Sequence, residues 1–431
     1  MLLRCCGIWG LIVLHARGQA IDSVLASPEL WKTERGSFVQ EYGPLGFYWL
    51  SSTQDRAETH RRSVTLFSQR VYEVDAEFQG DALSEVTVSI YNRGDAGDLT
   101  REQMTALMAR TVLQLNALTK VQYVDEGEEA ADAVKAHAFS WQTQASKFVL
   151  EYSFTKEVKT WSIPFRAEFI RLRVTPAEKP KSFMEEALAA ATPQLEFDGP
   201  SHVVKELSGD VRIATVPMVD QGRKGYCVVA AAERVMRYYG VPVDEHEMAE
   251  LANSSATQGT SNEAMFDSLK KLSQRLQVKI RLLEAMDVRQ LLEVISEYNR
   301  RAQREHAPEI PQQGPVLNLQ RIYTAMNPEL LKEARTHNQA DVDRFQQMAQ
   351  DHIDQGIPIL WSVMLGVVPE KMAPPGIGGH MRLIIGYNAD TKEILYTDSW
   401  GPGHELKRMP ADDAWTMTTA MYTIEPVSGV N

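Results

Sequence analysis

Cysteine, positive charge and long apolar runs are all scarce in this chain, and each shortage excludes a class of protein. Only three cysteines occur in 431 residues, and two of them are Cys5 and Cys6, so a disulfide-based scaffold is excluded. Acidic residues outnumber basic ones, 57 to 45, and the net charge of −12 argues against nucleic acid or an anionic membrane as partner. The sequence shows no internal repeat, no ATP-binding loop and no apolar run long enough to span a bilayer.

The first twenty residues have the pattern of a secretory signal peptide. Arg4 precedes an apolar stretch, and small residues stand near Ala20, where cleavage is predicted. Cleavage there would remove two cysteines and leave Cys227 as the only thiol. Export without disulfides favours a bacterial setting, so we predict a secreted, periplasmic or cell-envelope location. The alternative is a buried N-terminal segment.

Residues 21–195 predict a separate α+β domain. Alternating or β-branched runs indicate strands at 63–67, 70–78, 85–92, 147–154 and 166–174. A helix is predicted at 100–118, where Thr100 and Gln103 form a capping-box pattern. No nucleophile, metal cluster or phosphate loop stands out here. Two roles are open for this part, a pro-region that covers a cleft or a domain that holds a partner.

Prolines punctuate residues 196–212 and the stretch before them, so 196–212 is predicted as a linker. The remaining domain, 213–431, reads as helices first and strands from residue 357 onward. Helices are expected at 287–303 and 340–354, and the polar stretch 300–315 is expected to be a surface loop.

One cysteine has the local setting of a reactive thiol. Two glycines precede Cys227, and the run VVAAAERVM follows it, with one apolar face predicted through Val228, Ala231, Val235 and Tyr239. The loop therefore brings Cys227 to the first turn of a helix, where backbone N–H groups favour a thiolate. A lone cysteine in such a run is also typical of a small buried apolar residue.

Two further segments favour a reactive thiol at Cys227 over a buried apolar residue. His380 follows a glycine-rich loop and opens the strand-like run MRLIIGYN, 153 positions after Cys227. Asp398 ends the next strand-like run, a further 18 positions on, and is followed by Ser-Trp-Gly. A histidine about 130–150 residues after a cysteine is typical of papain-type enzymes.

Taken together, Gln-x5-Cys, Gly-His and Asp-Ser-Trp-Gly resemble the pattern of papain-like cysteine peptidases, closest to the bacterial C39-like peptidases that process bacteriocin leaders. The resemblance covers roughly residues 205–428. It implies a helical subdomain beside an antiparallel sheet, with Cys227 as nucleophile, His380 as general base and Asp398 as the group that orients it. It also implies that the Gln221 amide lines an oxyanion hole and that Trp400 shields the His380–Asp398 pair. No cofactor is implied.

Other functions stay open at this point. The same residues would serve an amide acyl transferase or amidase, and an idle papain-like domain could bind without catalysis. A zinc site built from Cys227, His380, Asp398 and His404 is conceivable, although no two of them have close metal-ligand spacing. Val228 stands where papain-like enzymes usually have Trp or Tyr, so the substrate-side wall of the cleft is not defined. The predicted partner is a peptide or protein substrate, and the sequence does not indicate an oligomeric state.

Overall fold

A computed structural model describes residues 19–130, 135–155, 164–177, 197–222, 225–241, 243, 245–252, 265–267, 269–270, 273, 277–311, 318–371 and 376–427. Residues 1–18 lie outside these ranges, so the signal peptide and the export that it implies stay predictions. Gln19 and Ala20, just before the predicted cleavage point, pair in parallel with Val64–Leu66. No helix in the described ranges combines the length and the apolar composition that crossing a bilayer requires.

The chain is α+β, with antiparallel pairing in both of its large sheets. Its strands run in chain order as β1 Gln19–Ala20, β2 Tyr48–Trp49, β3 Arg56–Thr59, β4 Val64–Leu66, β5 Gln69–Arg70, β6 Glu73–Gln79, β7 Ala82–Asn92, β8 Val124–Ala130, β9 Lys135–Gln142, β10 Ser146–Thr155, β11 Arg166–Pro176, β12 Val203–Lys205, β13 Asp210–Ile213, β14 Val278–Ala285, β15 Ile359–Leu365, β16 Gly378–Asn388, β17 Glu393–Thr397, β18 Lys407–Pro410 and β19 Thr418–Pro426.

The described α-helices connect these strands. They are α1 Asp22–Leu25, α2 Arg35–Glu41, α3 Arg93–Ala96, α4 Arg101–Thr119, α5 Cys227–Tyr238, α6 Glu245–Leu251, α7 Val288–Arg304, α8 Leu319–Ala325, α9 Pro328–Thr336, α10 Gln339–Ile353 and α11 Ala411–Met417. Helix α4 begins at the predicted capping box, since the Thr100 hydroxyl accepts from the Gln103 N–H and the Gln103 side chain accepts in return. Helices α7 and α10 confirm the predictions at 287–303 and 340–354.

The first large sheet has the strand order β2-β3-β6-β7-β11-β10-β9-β8. One hydrophobic core lies against it and includes Phe38, Trp141 and Leu150. The five predicted strands of this part are present, whereas β3, β8 and β9 were not predicted. Acidic residues interrupt the apolar alternation in β8, and β9 begins with a lysine and small residues, so their strand pattern is weak.

The second large sheet has the order β12-β13-β16-β15-β19-β14, with β17 joined to β16 and β18 to β17. A second core lies between this sheet and helices α5 to α11. The linker prediction for 196–212 was wrong in part, because β12 and β13 form a hairpin in which Asp210 pairs with Asn388 of β16. The loop prediction for 300–315 was also wrong at its start, where α7 continues to Arg304 and buries Ala302. The division into two domains stays a prediction.

Helix α5 lies where the N-terminal half of the chain, which carries the first large sheet, meets the C-terminal half, which carries the second. Glu233 of α5 contacts Arg56 of β3 at 3.6 Å, and Arg237 of α5 donates to Glu77 of β6 at 2.8 Å. Arg171 of β11 reaches Glu247 of α6 in the same way, with both side chains buried. The residues of the predicted apolar face of α5 are buried, but the rest of the helix is buried almost all round as well, including Glu233 and Arg234.

Candidate active site

Cys227 is the first residue of α5, as the sequence predicted. Tyr226 occupies the N-cap position without a side-chain capping bond, so the backbone N–H groups of the first turn are left for other acceptors. Gly222, in the loop before the helix, has φ of +61° and donates its N–H to Asp220 Oδ1 at 2.9 Å. The Tyr226 ring packs so closely on Gly94 of the first half that a Cβ there would lie 2.1 Å from its hydroxyl. Both glycines thus fix the entry of the chain into α5.

His380 lies on β16 opposite Val363 of β15, and the fold brings its ring to the Cys227 thiol. Its Nε2 atom is 2.9 Å from Asp398 Oδ1. Cys227 and His380 are hydrogen-bonded to each other, and Nδ1 is the ring nitrogen left for that bond. Three residues separated by 153 and 18 positions therefore form one continuous chain of hydrogen bonds.

The environment favours an ion pair of thiolate and imidazolium. Burial alone would raise the pKa of Cys227, but the hydrogen bond and positive charge of His380, with the N–H groups of Met381 and Val228, lower it overall. Burial would lower the pKa of His380, and the hydrogen bonds to Asp398 and Cys227 raise it overall. Both shifts extend the range of pH over which the two groups are charged together.

Asp398 is completely buried and held in its charged form by three partners. Besides His380, Arg382 Nε donates to Oδ1 at 2.9 Å and Lys407 Nζ donates to Oδ2 at 2.8 Å. Burial would raise the pKa of Asp398, but these hydrogen bonds and charges lower it well below its usual range. Because the carboxylate can only accept, His380 must carry its proton on Nε2.

Trp400 stacks on His380, with ring centroids 4.6 Å apart and an angle of 23° between the planes. Lys407 Nζ lies 5.1 Å from the centroid of the same indole. The next residue, Gly401, has φ of +74°, and a Cβ there would lie 2.5 Å from Asp220 Oδ2. The Asp-Ser-Trp-Gly motif therefore covers the His380–Asp398 pair and lets the loop before Cys227 approach.

Gln221 is buried in that loop, and its backbone N–H donates to Ser399 O at 2.9 Å. Its neighbour Asp220 accepts a hydrogen bond from Tyr48 of β2 at 3.2 Å. The segment that carries Gln221 is thus held on one side by the residue after Asp398 and on the other by the first half of the chain.

Three residues that support the site were missed at the sequence level. Arg234, fully buried in α5, donates to Pro217 O at 2.7 Å, to Asp398 O at 3.0 Å and to Thr397 Oγ1 at 2.8 Å. Burial lowers the pKa of Arg234 to about 10. Arg382 could have been found, since it lies two positions after His380 and so on the same face of β16. Lys407 comes from β18 and has no signal in the sequence.

The zinc alternative is not supported in the part of the chain that the structure describes. There the ligand atoms of Cys227, His380, Asp398 and His404 do not converge as a set. His380 Nε2 is engaged with Asp398, and the His404 ring lies edge-on to Trp400 at 5.4 Å.

Comparison with known proteins agrees with this geometry. Residues 288–423 match the model of the Peptidase_C39 like family. The matched segment contains His380, Asp398 and Trp400, whereas Gln221 and Cys227 precede it. The match confirms the resemblance to C39-like peptidases and defines the class of protein, a cysteine-type peptidase.

Among solved structures, this chain is similar to xylellain, a cysteine protease from Xylella fastidiosa. The two are 15% identical, the alignment covers 54% of this chain and 90% of that one, and the TM-score is 0.26. At that TM-score the alignment carries no argument about fold or function. The search of curated proteins gave no match.

Proposed function

We propose that Cys227, His380 and Asp398 form the catalytic triad with which this cysteine peptidase hydrolyses peptide bonds. The observation that carries the proposal is the continuous hydrogen-bonded chain from the Cys227 thiol through His380 to the buried Asp398. A histidine that served only for packing would need neither the buried carboxylate of Asp398 nor the two basic side chains, Arg382 and Lys407, that donate to this carboxylate.

Each step follows from the positions of these atoms. The Cys227 thiolate attacks the carbonyl carbon, and the His380 imidazolium gives its Nδ1 proton to the leaving nitrogen as the C–N bond breaks. The product is a thioester on Cys227. A water molecule then loses a proton to Nδ1 and attacks the thioester, and the C–S bond breaks to restore the thiolate. Asp398 keeps the Nε2 proton in place throughout and holds the ring in plane.

Gln221 is proposed to stabilise the oxyanion of each tetrahedral intermediate, together with the Cys227 N–H at the start of α5. Its loop is fixed by the hydrogen bond from the Gln221 N–H to Ser399 O and by the hydrogen bond from the Tyr48 hydroxyl to Asp220. Such preorganised donors act only where charge develops during the reaction.

Changing Gln221→Ala should therefore lower kcat by about 10²–10³-fold, with a much smaller change in KM. Steady-state kinetics on a cleaved peptide provide the measurement. Gln320→Ala serves as the control, because that side chain donates to Ile377 O on the surface and should leave kcat unchanged. A loss confined to KM would contradict the role.

The function itself is tested by incubating a peptide library with the full chain and with Cys227→Ala. We expect cleavage products only with the intact thiol, and a thioester on Cys227 that hydroxylamine releases. An amidase or acyl transferase would form the same thioester, but it would leave the peptide backbone uncut or pass the acyl group to an added amine. A binding protein would form no thioester at all.

A further inference from the structure

A second cluster of chemically active side chains lies in the first sheet. Glu58 lies on β3, and His60 lies two positions later, just after that strand ends. Glu73 and Asp75 are likewise two positions apart, both on β6. Because β3 and β6 pair with Glu58 opposite Asp75, all four residues share one face of the sheet.

The ligand atoms of three of these residues converge. One atom each from Glu58, His60 and Glu73 lies within 4.8 Å of the other two. Glu58 and Glu73 are 1% and 3% exposed, so neither carboxylate is hydrated in the ordinary way. His60 is partly exposed and provides access from solvent, and Glu73 also lines a cavity of about 210 Å³ between the two halves.

Inside the cluster, the His60 ring lies beside both carboxylates. Glu58 Oε1 contacts His60 Nε2. The other ring nitrogen, Nδ1, lies 3.8 Å from Glu73 Oε2. Two buried carboxylates beside a single imidazole are costly to keep charged unless a cation lies between them.

The nearby arginine is already engaged with other carboxylates. Arg56 donates to Asp75 at 3.0 Å and contacts Glu233 of α5 at 3.6 Å. Within the described ranges, the ion pair of Glu58 is with His60 and not with an arginine or lysine. The buried face therefore carries more negative than positive charge.

We propose that Glu58, His60 and Glu73 bind a divalent transition-metal cation of the Zn²⁺ type. One imidazole nitrogen and two carboxylate oxygens form a ligand set that such cations accept, whereas Ca²⁺ and Mg²⁺ prefer oxygen alone. Bound there, the cation joins β3 to β6 next to Tyr48, which lies opposite Glu58 on β2. The site is separate from the triad and does not depend on the peptidase proposal.

Titration with Co²⁺ tests the proposal, because its visible absorption reports the ligands directly. The parent is the full chain with Cys5→Ser, Cys6→Ser and Cys227→Ala, which removes every competing thiol. We expect one Co²⁺ per chain, displaced by Zn²⁺ but not by Ca²⁺, and a rise in Tm on binding. His60→Ala, Glu58→Gln and Glu73→Gln should each weaken binding by about 100-fold or more, since loss of a direct ligand exceeds loss of an outer partner.

His306→Ala is the matched control, because this histidine is exposed and lies outside the cluster. It should bind Co²⁺ as the parent does. The Glu→Gln variants keep the shape of the side chain, so a folded protein that has lost the metal can be recognised by its circular dichroism. Equal binding by the parent and by His60→Ala would overturn the proposal, as would a parent that binds no Co²⁺; the cluster would then be only a contact of His60 with two carboxylates.

Discussion

Replacing His380 by alanine is expected to abolish the two properties that define the site, catalysis and the reactivity of Cys227 at low pH. Loss of one member of a triad typically lowers kcat by about 10⁴–10⁶-fold, because the members act as a unit. His380 is the only described group that hydrogen-bonds both Cys227 and Asp398. Among the described residues around Asp398, Arg382 and Lys407 donate their hydrogen bonds to the carboxylate and do not replace the imidazole as a base.

The same variant should change the pH profile of alkylation of Cys227 by iodoacetamide. In the native chain the pKa of Cys227 is lowered, so labelling should persist well below the pH near 8.5 at which an ordinary thiol ionises. Without the His380 charge, burial dominates and raises the pKa, so the profile should move to higher pH. The reaction therefore slows at neutral pH although the thiol itself is unchanged.

His404→Ala is the control for both measurements. Its ring also contacts Trp400, at 5.4 Å, but it is not part of the hydrogen-bonded chain. Activity and alkylation of this variant should follow those of the native protein. If His380→Ala were labelled at low pH as readily as the native chain, the ion pair would not exist and the triad would have to be abandoned.

Arg234→Met is expected to cause the largest loss of stability among single changes in α5. The arginine is 1% exposed and supplies hydrogen bonds to Pro217 O, Asp398 O and Thr397 Oγ1. Methionine fills similar space but removes a charged donor from each of these buried acceptors, at about 1–3 kcal/mol each before relaxation. We therefore expect the free energy of unfolding to fall by about 3–5 kcal/mol, which is a large part of the total stability of a typical protein.

Urea unfolding of the full chain measures this loss, with Arg408→Met as the matched change. The Arg408 side chain is 38% exposed, and its partner Asp210, although buried, keeps the hydrogen bond from Asn388 when Arg408 is removed, so the change should cost less than about 1 kcal/mol. Similar losses in the two variants would show that the buried hydrogen bonds of Arg234 do not stabilise the helix against the sheet.

The parts of the site that follow from local sequence could be predicted. Glycines before Cys227 and helix formers after it determine where α5 begins, and the apolar runs around His380 and Asp398 determine their strands. What links these segments could not be predicted, because periodicity describes one element at a time. Tyr48 and Asp220 are 172 positions apart, and nothing near either residue indicates the contact.

The burial of charged residues inside the fold could not be predicted from the sequence. A helix pattern marks Glu233 and Arg234 as solvent-facing, since buried charges need partners that the pattern does not reveal. Their partners come from β3 and from the loops around Pro217 and Asp398. The hairpin β12–β13 was missed for a related reason, because its strands are short and gain their stability only by adding to β16.

The burial of α5 on nearly every side has a consequence for how the enzyme is organised. A helix that carries the nucleophile and is enclosed by both halves cannot keep its position if either half opens. Loosening of the first sheet, with its contacts from Arg56 and Tyr48, is therefore expected to disturb the position of Cys227 even while the second sheet stays folded. We therefore expect the reactivity of Cys227 to depend on the N-terminal half of the chain.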